Sequence, residues 1–119
     1  MKVTRRAFGA GVLAAPALAI GHRAGAQGAW PSRAVRIVVP YTPGGVSDIT
    51  ARLLSDPLST AWGQPVPVEN RAGADGVIGT EVVARSPADG YTLGLVSVGH
   101  PVNAAFYKLP FDTMRDFTF

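Results

Sequence analysis

Two glycine-rich loops, each followed by a predicted helix, contain the residues best suited to bind a ligand. Tyr41-Thr42-Pro43-Gly44-Gly45 precedes the first helix, and Arg71-Ala72-Gly73-Ala74-Asp75-Gly76 precedes the second. A helix N-terminus presents unpaired N–H groups and about half a positive charge, which favours a carboxylate or a phosphate. Gly44 and Gly45 let the backbone turn its N–H groups towards a ligand without a Cβ in the way. The loops predict a site for a small anion that uses neither Lys nor Arg, although each is also compatible with an ordinary turn.

Catalytic and metal-binding patterns find little support in the sequence. Neither a phosphate-loop ending in Gly-Lys-Ser/Thr nor a Gly-x-Ser-x-Gly elbow occurs. Asp48 has no second carboxylate or base at a useful spacing, so it is either a dipole-stabilising residue of the first turn or an isolated base. His100 is a lone histidine in a predicted loop, where a structural role is favoured. The chain has no cysteine and only two histidines, so we predict no disulfide, no metal site and no cofactor.

Three short apolar runs alternate with helical patterns along the chain. Strands are predicted at residues 35–39, 66–69 and 91–96, and helices at residues 47–62 and 77–85, with a short third helix near residues 102–107. This β-α-β-α-β order with short connections predicts an α/β fold, a parallel sheet covered by helices on both faces. Parallel strands place their C-terminal ends at one edge, so the loops at residues 41–48, 70–76 and 97–103 should meet there.

Several finer expectations follow from individual residue types. Gly63 should end the first helix, Pro57 should kink it, and Pro67 should place the second strand at an edge of the sheet. An apolar strand is expected to begin at residues 116–119. The apolar positions of the first helix follow a helical period at Ile49, Leu53, Leu54, Leu58 and Trp62. The second helix should bury Ile78, Val82 and Val83, and Trp62 and Tyr91 are expected in the core.

Residues 1–26 have the pattern of a twin-arginine export signal. Arg5 and Arg6 precede an uncharged, Gly- and Ala-rich run at residues 7–21, and Ala24-Gly25-Ala26 forms a small-x-small cleavage site. A membrane anchor is the alternative, but it needs about 20 strongly apolar residues. We expect cleavage near Ala26 and a periplasmic location for the mature chain.

The basic charge of the chain belongs to this signal. The whole sequence has 11 basic and 8 acidic residues and a net charge of +3. Four of the basic residues lie in the first 26 positions, which leaves seven against eight and a net charge of −1. Nucleic-acid binding therefore loses its electrostatic basis.

Four motifs in order resemble the Bug receptors, the extracytoplasmic solute-binding proteins of tripartite tricarboxylate transporters. They are residues 35–48 (VRIVVPYTPGGVSD), residues 63–74 (GQPVPVENRAGA), residues 89–93 (DGYTL), and Leu109-Pro110-Phe111-Asp112 with Asp116-Phe117. The resemblance implies a monomeric periplasmic binding protein of type II, with two lobes that close on a small organic carboxylate without catalysis and deliver it to membrane transporter subunits. Residues 27–119 would form the N-terminal part of the first lobe, with the second lobe absent.

The same resemblance implies which residues surround the carboxylate. The first two loops would bind it largely through backbone N–H groups and bridging water, and residues 97–100 would form another wall. The implied ligand-binding residues are Tyr41, Thr42, Gly44, Gly45, Ser47, Asp48, Asn70, Gly73, Ala74, Gly76, Ser97 and His100. Asp75 departs from the family, which usually has glycine in this turn, and Pro57 departs from its helix-forming residues.

Three other interpretations remain open at this stage. A periplasmic receptor could signal to a sensor kinase instead of feeding a transporter. An α/β enzyme could act on a carboxylated substrate with Asp48 as base. A truncated gene product that never folds is the third interpretation.

Replacing Arg5 and Arg6 together by Lys should leave unprocessed precursor in the cytoplasm, because the twin-arginine machinery reads the paired guanidinium groups. Immunoblotting of cytoplasmic and periplasmic fractions measures this effect, and the Lys2→Arg variant is the matched control. Normal processing of the double variant would show that export uses the general secretion route.

Overall fold

The computed structural model describes residues 28–119, so the predicted signal at residues 1–26 lies outside the described part. Its elements are β1 (Arg36–Val39), α1 (Val46–Trp62), β2 (Val68–Asn70), α2 (Val77–Ala84), β3 (Thr92–Gly94) and α3 (Gly99–Phe106), with a 3₁₀ turn (Ala74–Gly76) leading into α2. This order confirms the predicted α/β fold. No helix within residues 28–119 combines the length and apolar character needed to cross a membrane.

The three strands form one parallel sheet in the order β2-β1-β3. Ile37 of β1 lies opposite Val68 of β2 and Leu93 of β3. The crossover from β1 to β2 and the crossover from β2 to β3 run in opposite directions across the sheet. Right-handed connections therefore place α1 and α2 on opposite faces. β2 lies at an edge of the sheet, which agrees with the edge position predicted from Pro67. The Pro67 carbonyl accepts a hydrogen bond of 2.9 Å from the Ile37 N–H.

The hydrophobic core lies between β1 and α1. Ile37, Val39, Ala51 and Val66 form the buried cluster, and the partly buried Leu58 and Trp62 pack against it. Strand alternation directs Val38 to the opposite face, towards α2. β1 is therefore buried on both faces, as expected for the central strand of a parallel sheet.

Three of the five periodic apolar positions of α1 do not face the core. The face towards the sheet contains Asp48, Ala51 and Leu58, whereas Leu53 is 72% exposed. Ile49 and Leu54 are also exposed. Polar contacts hold Asp48 on the side of α1 that faces the sheet. The helix is therefore rotated so that small or polar residues lie on the sheet. An apolar stripe that includes Val46, Ile49 and Leu53 therefore lies on the outer surface.

The ends and irregularities of the helices follow the sequence in part. Gly63 ends α1 in the left-handed conformation (φ 63°), as predicted. Pro57 does not interrupt α1, which continues to Trp62. Leu53, whose carbonyl loses its N–H partner at Pro57, is exposed and open to water.

Other expectations for α2 and the C-terminal region are corrected. Ile78 is half exposed instead of buried, because its side chain folds over Gly73 of the preceding loop. α3 begins at Gly99, earlier than expected, and His100 lies in this helix instead of a loop. The strand expected at residues 116–119 is not formed. Asp112 accepts hydrogen bonds from the N–H groups of Met114 and Arg115 and folds this region into a turn.

The two predicted core aromatics lie at the rim of the core. Trp62 and Tyr91 are half-buried and pack against Trp30, with ring centroids 5.2 and 5.9 Å from it. The Arg33 guanidinium lies 3.8 Å from the Tyr91 ring centroid, a cation–π contact. This aromatic group closes the end of the sheet opposite the three loops.

Replacing Gly79 by Ala should destabilise the protein by about 1–3 kcal/mol, because α2 lies directly against the backbone of Pro40 and Arg71 at this residue. A Cβ there would lie 2.5 Å from the Arg71 carbonyl oxygen and 2.7 Å from Pro40 Cα. Urea unfolding measures the loss. Gly45→Ala is the matched control, since its Cβ would meet only the Thr42 oxygen, at 3.6 Å. A gain of stability in Gly79→Ala, as helix propensity alone predicts, would contradict the close packing.

Candidate functional site

The three predicted loops meet at the side chain of Tyr41, directly after β1. The Tyr41 hydroxyl lies 2.7 Å from Ser97 Oγ, and the Ser97 N–H donates to it at 3.4 Å. Asn70 at the end of β2 donates to the Tyr41 carbonyl at 3.2 Å. Gly76 is buried against the ring, where an added Cβ would lie 3.1 Å from Tyr41 Cε1. The structure thus brings residues of all three loops together at the C-terminal edge of the sheet.

Asp48 organises the first loop and the start of the second. Its carboxylate is almost fully buried. It accepts hydrogen bonds from the Gly44 N–H at 2.8 Å, from Asn70 Nδ2 at 3.0 Å and from Arg52 Nε at 3.1 Å. Arg52 also donates to Asn70 Oδ1 at 3.2 Å. These side chains form a closed network that fixes the loop to α1 and β2.

The network keeps the Asp48 carboxyl ionised. The hydrogen bond from Arg52 is the largest cause, followed by those from Gly44 and Asn70, and together they lower the pKa of Asp48 to about 2. A carboxylate with this pKa holds its hydrogen-bond donors firmly but is a poor proton acceptor at neutral pH. The geometry therefore assigns Asp48 to positioning and gives no support to its use as a catalytic base.

The two glycines of the first loop have different roles. Gly44 adopts a left-handed conformation (φ 83°), which glycine alone adopts easily. Its N–H donates to Asp48, so the structure commits this group to the loop itself. Gly45, at φ −78°, has an ordinary extended backbone and precedes the first turn of α1. The first N–H groups of α1, at Val46 and Ser47, have no partner within the helix and are the donors this end can offer to an anion.

The second loop has a backbone of unusual conformation. Residues 73–76 all have positive φ, including Ala74 at 45° and Asp75 at 54°. A left-handed non-glycine residue costs about 1–2 kcal/mol. The buried Asn103 side chain of α3 donates to the Asp75 carbonyl at 2.9 Å and holds this turn. Asp75 itself is exposed, so its charge faces solvent at the loop.

His100 lies apart from the polar contacts of Tyr41. Its imidazole is 5% exposed and packs among Phe111, Phe117 and Phe119, with ring centroids 5.2 to 6.4 Å away. Both ring nitrogens lack a hydrogen-bond partner among residues 28–119. The structure places this predicted site residue in an aromatic cluster beside β3.

The remaining predicted site residues surround Tyr41 at different depths. Thr42, Gly44, Gly45 and Ala74 are exposed, Ser47, Asn70, Gly73 and Ser97 are half-buried, and Asp48 and Gly76 are buried. Sequence reasoning missed two positioning residues, Arg52 and Asn103. The spacing of Asp48 and Arg52, one helical turn apart, was the available signal for the first. Within residues 28–119, no three acidic or histidine side chains form a group that could hold a metal ion.

The chain is similar to a described protein family and to several curated proteins. The model of TctC, the tripartite tricarboxylate transporter family receptor, matches residues 50–119. A UPF0065 protein of Pseudomonas sp. (strain P51) is 44% identical over 110 residues, covering 89% of this chain and 33% of that protein. Protein BugT of Bordetella pertussis is 48% identical over 81 residues, covering 68% and 25%. The chain thus spans a quarter to a third of the length of these relatives.

Solved structures show the same fold. The periplasmic binding protein BugD matches with a TM-score of 0.70 and 39% identity, over 74% of this chain and 30% of that one. MatC of Rhodopseudomonas palustris with bound malate matches with a TM-score of 0.69 and 38% identity, over 75% and 31%. Rpa4515 of R. palustris with adipate matches with a TM-score of 0.53 and 48% identity, over 55% and 22%. The family model describes a transporter receptor and BugD is a periplasmic binding protein, which agrees with the non-enzymatic prediction.

Replacing Asp48 by Asn should lower the melting temperature at neutral pH by several degrees. It should also make the melting temperature fall less steeply as the pH is lowered. In the folded protein the Asp48 pKa is about 2, below its ordinary value of 3.8. The stability from the charged network is therefore present above about pH 4 and lost as the pH falls towards 2. Melting curves between pH 7 and 2 measure the difference between variant and parent.

Asp56→Asn is the control for this prediction, because Asp56 is an exposed carboxylate on the same helix. It should leave both the neutral melting temperature and its acid dependence nearly unchanged. Parent-like melting of Asp48→Asn at pH 7 would show that the network does not stabilise the loop.

Proposed function

Because the chain belongs to the TctC family of tripartite tricarboxylate transporter receptors, we propose that it forms part of a periplasmic receptor that captures a small organic carboxylate. Residues 27–119 would supply one lip of the binding cleft, in the first of two lobes. A second lobe would close over the ligand, as the resemblance to the Bug receptors implies. The captured ligand would pass to the membrane subunits of the transporter, and the receptor would act as a monomer.

The convergence of three loops on Tyr41 carries this proposal. The loops lie at the C-terminal edge of a parallel sheet, where α/β proteins bind ligands. Gly45 leaves the N-terminal turn of α1 uncovered, and the Tyr41 and Ser97 hydroxyls supply further polar groups. Each of these features suits a carboxylate, which needs hydrogen-bond donors and gains from the helix dipole.

The proposed binding residues fall into two groups. Donors towards the ligand would come from the backbone around Gly45 and Ser47, from Thr42, Tyr41 and Ser97, and from the turn at residues 73–76. Asp48 and Asn70 would hold the loops in place, since their polar atoms already bind Gly44, Arg52 and Tyr41. Because the contacts involve few charged side chains, neighbouring parts of the receptor would decide which carboxylate is bound.

Dicarboxylates of four to six carbons are the ligand class we propose to test first. MatC is a relative with bound malate, and Rpa4515 is a relative with adipate. Export by the N-terminal signal would place the receptor where such solutes enter the cell envelope. The net charge of −1 on residues 27–119 is compatible with anion capture through N–H groups and the helix dipole instead of a basic patch.

Replacing Gly45 by Val should weaken malate binding at least about tenfold, which corresponds to about 1.4 kcal/mol. The test protein is a hybrid in which residues 28–119 replace the matching region of MatC. The branched side chain would cover the start of α1, while φ of −78° at Gly45 permits any residue, so the fold should be retained. Isothermal titration calorimetry with malate and adipate measures affinity, and a thermal melt checks folding.

Gly45→Ala is the control, because its Cβ meets only the Thr42 carbonyl oxygen at 3.6 Å. It should bind malate much more tightly than the Val variant. Equal affinity of the Val variant and the parent hybrid would place the ligand away from the first loop. Failure of the folded parent hybrid to bind malate or adipate would contradict the proposed ligand class.

A further inference from the structure

Asp75 places a negative charge beside the candidate carboxylate site. It lies in the second loop next to Gly76, which is buried against the ring of Tyr41. Asp75 itself is exposed. Two negative charges repel each other at short range. Asp75 therefore opposes the binding of a simple anion at this edge unless a positive charge lies between them.

The backbone of Asp75 is held in one conformation. Its φ of 54° and ψ of 40° lie in the left-handed region, which costs a non-glycine residue about 1–2 kcal/mol. The buried Asn103 side chain donates to the Asp75 carbonyl at 2.9 Å. The Gly76 N–H donates to the Gly73 carbonyl at 3.0 Å and closes the turn. The carboxylate of Asp75 therefore extends from a fixed point on the loop.

No basic side chain within residues 28–119 pairs with the Asp75 carboxylate. The ion pairs of this region use other acidic residues, namely Asp48, Glu69, Glu81, Asp89 and Asp112. Arg71 is the only Lys or Arg in the three loops, and it is paired with Glu69. A cation that pairs with Asp75 must therefore come from outside the described part of the chain.

We propose that Asp75 is a specificity-determining residue, which selects dicarboxylates that carry an ammonium group close to the bound carboxylate. This inference rests on the proposed carboxylate-binding function. Backbone N–H groups of the loops would bind the ligand carboxylate, and the Asp75 carboxylate would accept a hydrogen bond from the ammonium group. Such a charge-assisted hydrogen bond is stronger than one from a neutral hydroxyl, and a methylene group offers none.

A purely structural role for Asp75 leads to a different expectation. Asp and Asn both adopt the left-handed conformation more readily than most residues. Either side chain would therefore serve the turn, whereas only the charge of Asp distinguishes a cationic ligand from a neutral or anionic one. Asp75→Asn separates the two roles, because it removes the charge and keeps the size and the conformational preference.

Isothermal titration calorimetry of the hybrid with MatC tests the proposal with aspartate, malate and succinate. These four-carbon dicarboxylates differ only in one substituent, which is an ammonium group, a hydroxyl and a hydrogen, respectively. Asp75→Asn should weaken aspartate binding, because the ammonium loses its partner, and should strengthen succinate binding, because a repulsive charge is removed. The ratio of the aspartate affinity to the succinate affinity should fall at least about tenfold. The second lobe is the same in both proteins, so its own preference cancels from this comparison.

Two further variants serve as controls. Asp56→Asn removes the same charge from an exposed position on α1, and it should leave the affinity ratio unchanged. Asp75→Gly removes the carboxylate and also the cost of the left-handed backbone. It should lose the selectivity as Asp75→Asn does, and thermal melts should show that each variant remains folded.

Three results would overturn the proposal. An unchanged affinity ratio in folded Asp75→Asn would show that the charge does not select the ligand. An equal loss of affinity for all three ligands would show that Asp75 pairs with a cation of the second lobe or only supports the loop. Failure of the folded parent hybrid to bind any of the three ligands would contradict the carboxylate function as well. The first two results leave that function intact, so the two failures are distinguished.

Discussion

The buried carboxylate of Asp48 is the interaction on which the arrangement of the edge depends. It joins the Gly44 N–H of the first loop, the Asn70 amide at the end of β2 and the Arg52 guanidinium on α1. A carboxylate buried away from water is stable only when its oxygen atoms accept hydrogen bonds. The three donors therefore cannot move independently. The same constraint sets the rotation of α1 and places Ala51 on the sheet, with Leu53 outside.

Sequence patterns predicted the architecture well because it depends on local signals. Short β-branched runs, glycine at helix ends and the alternation of strands with helices determine which elements form and that the sheet is parallel. The face of α1 could not be read in the same way. Apolar spacing favoured Ile49 and Leu53, but the tertiary contacts of Asp48 turn the helix otherwise. The short range of sequence patterns likewise led to a strand being expected at residues 116–119, directly after the turn that Asp112 forms.

The candidate site shows a similar division between what residue types reveal and what contacts decide. Glycine-rich loops before helices correctly indicated which segments meet at the edge. The use of each N–H group could not be predicted, because Gly44 donates to Asp48 within its own loop. Asn103 was missed since it acts on the backbone of Asp75, 28 positions away, and no local pattern marks such a contact. The site is therefore preorganised by long-range side-chain contacts around Tyr41.

The central position of β1 has a consequence for how the chain folds during synthesis. Arg36 is bonded to Glu69 and Thr92, which follow it by 33 and 56 positions. The ribosome thus makes the middle strand first, and β2 emerges after one helix and β3 only after two. Non-local pairing of this kind is slow, and unpaired apolar strands associate readily with other chains. The nascent polypeptide must therefore keep Ile37, Val38 and Val39 shielded until the outer strands arrive.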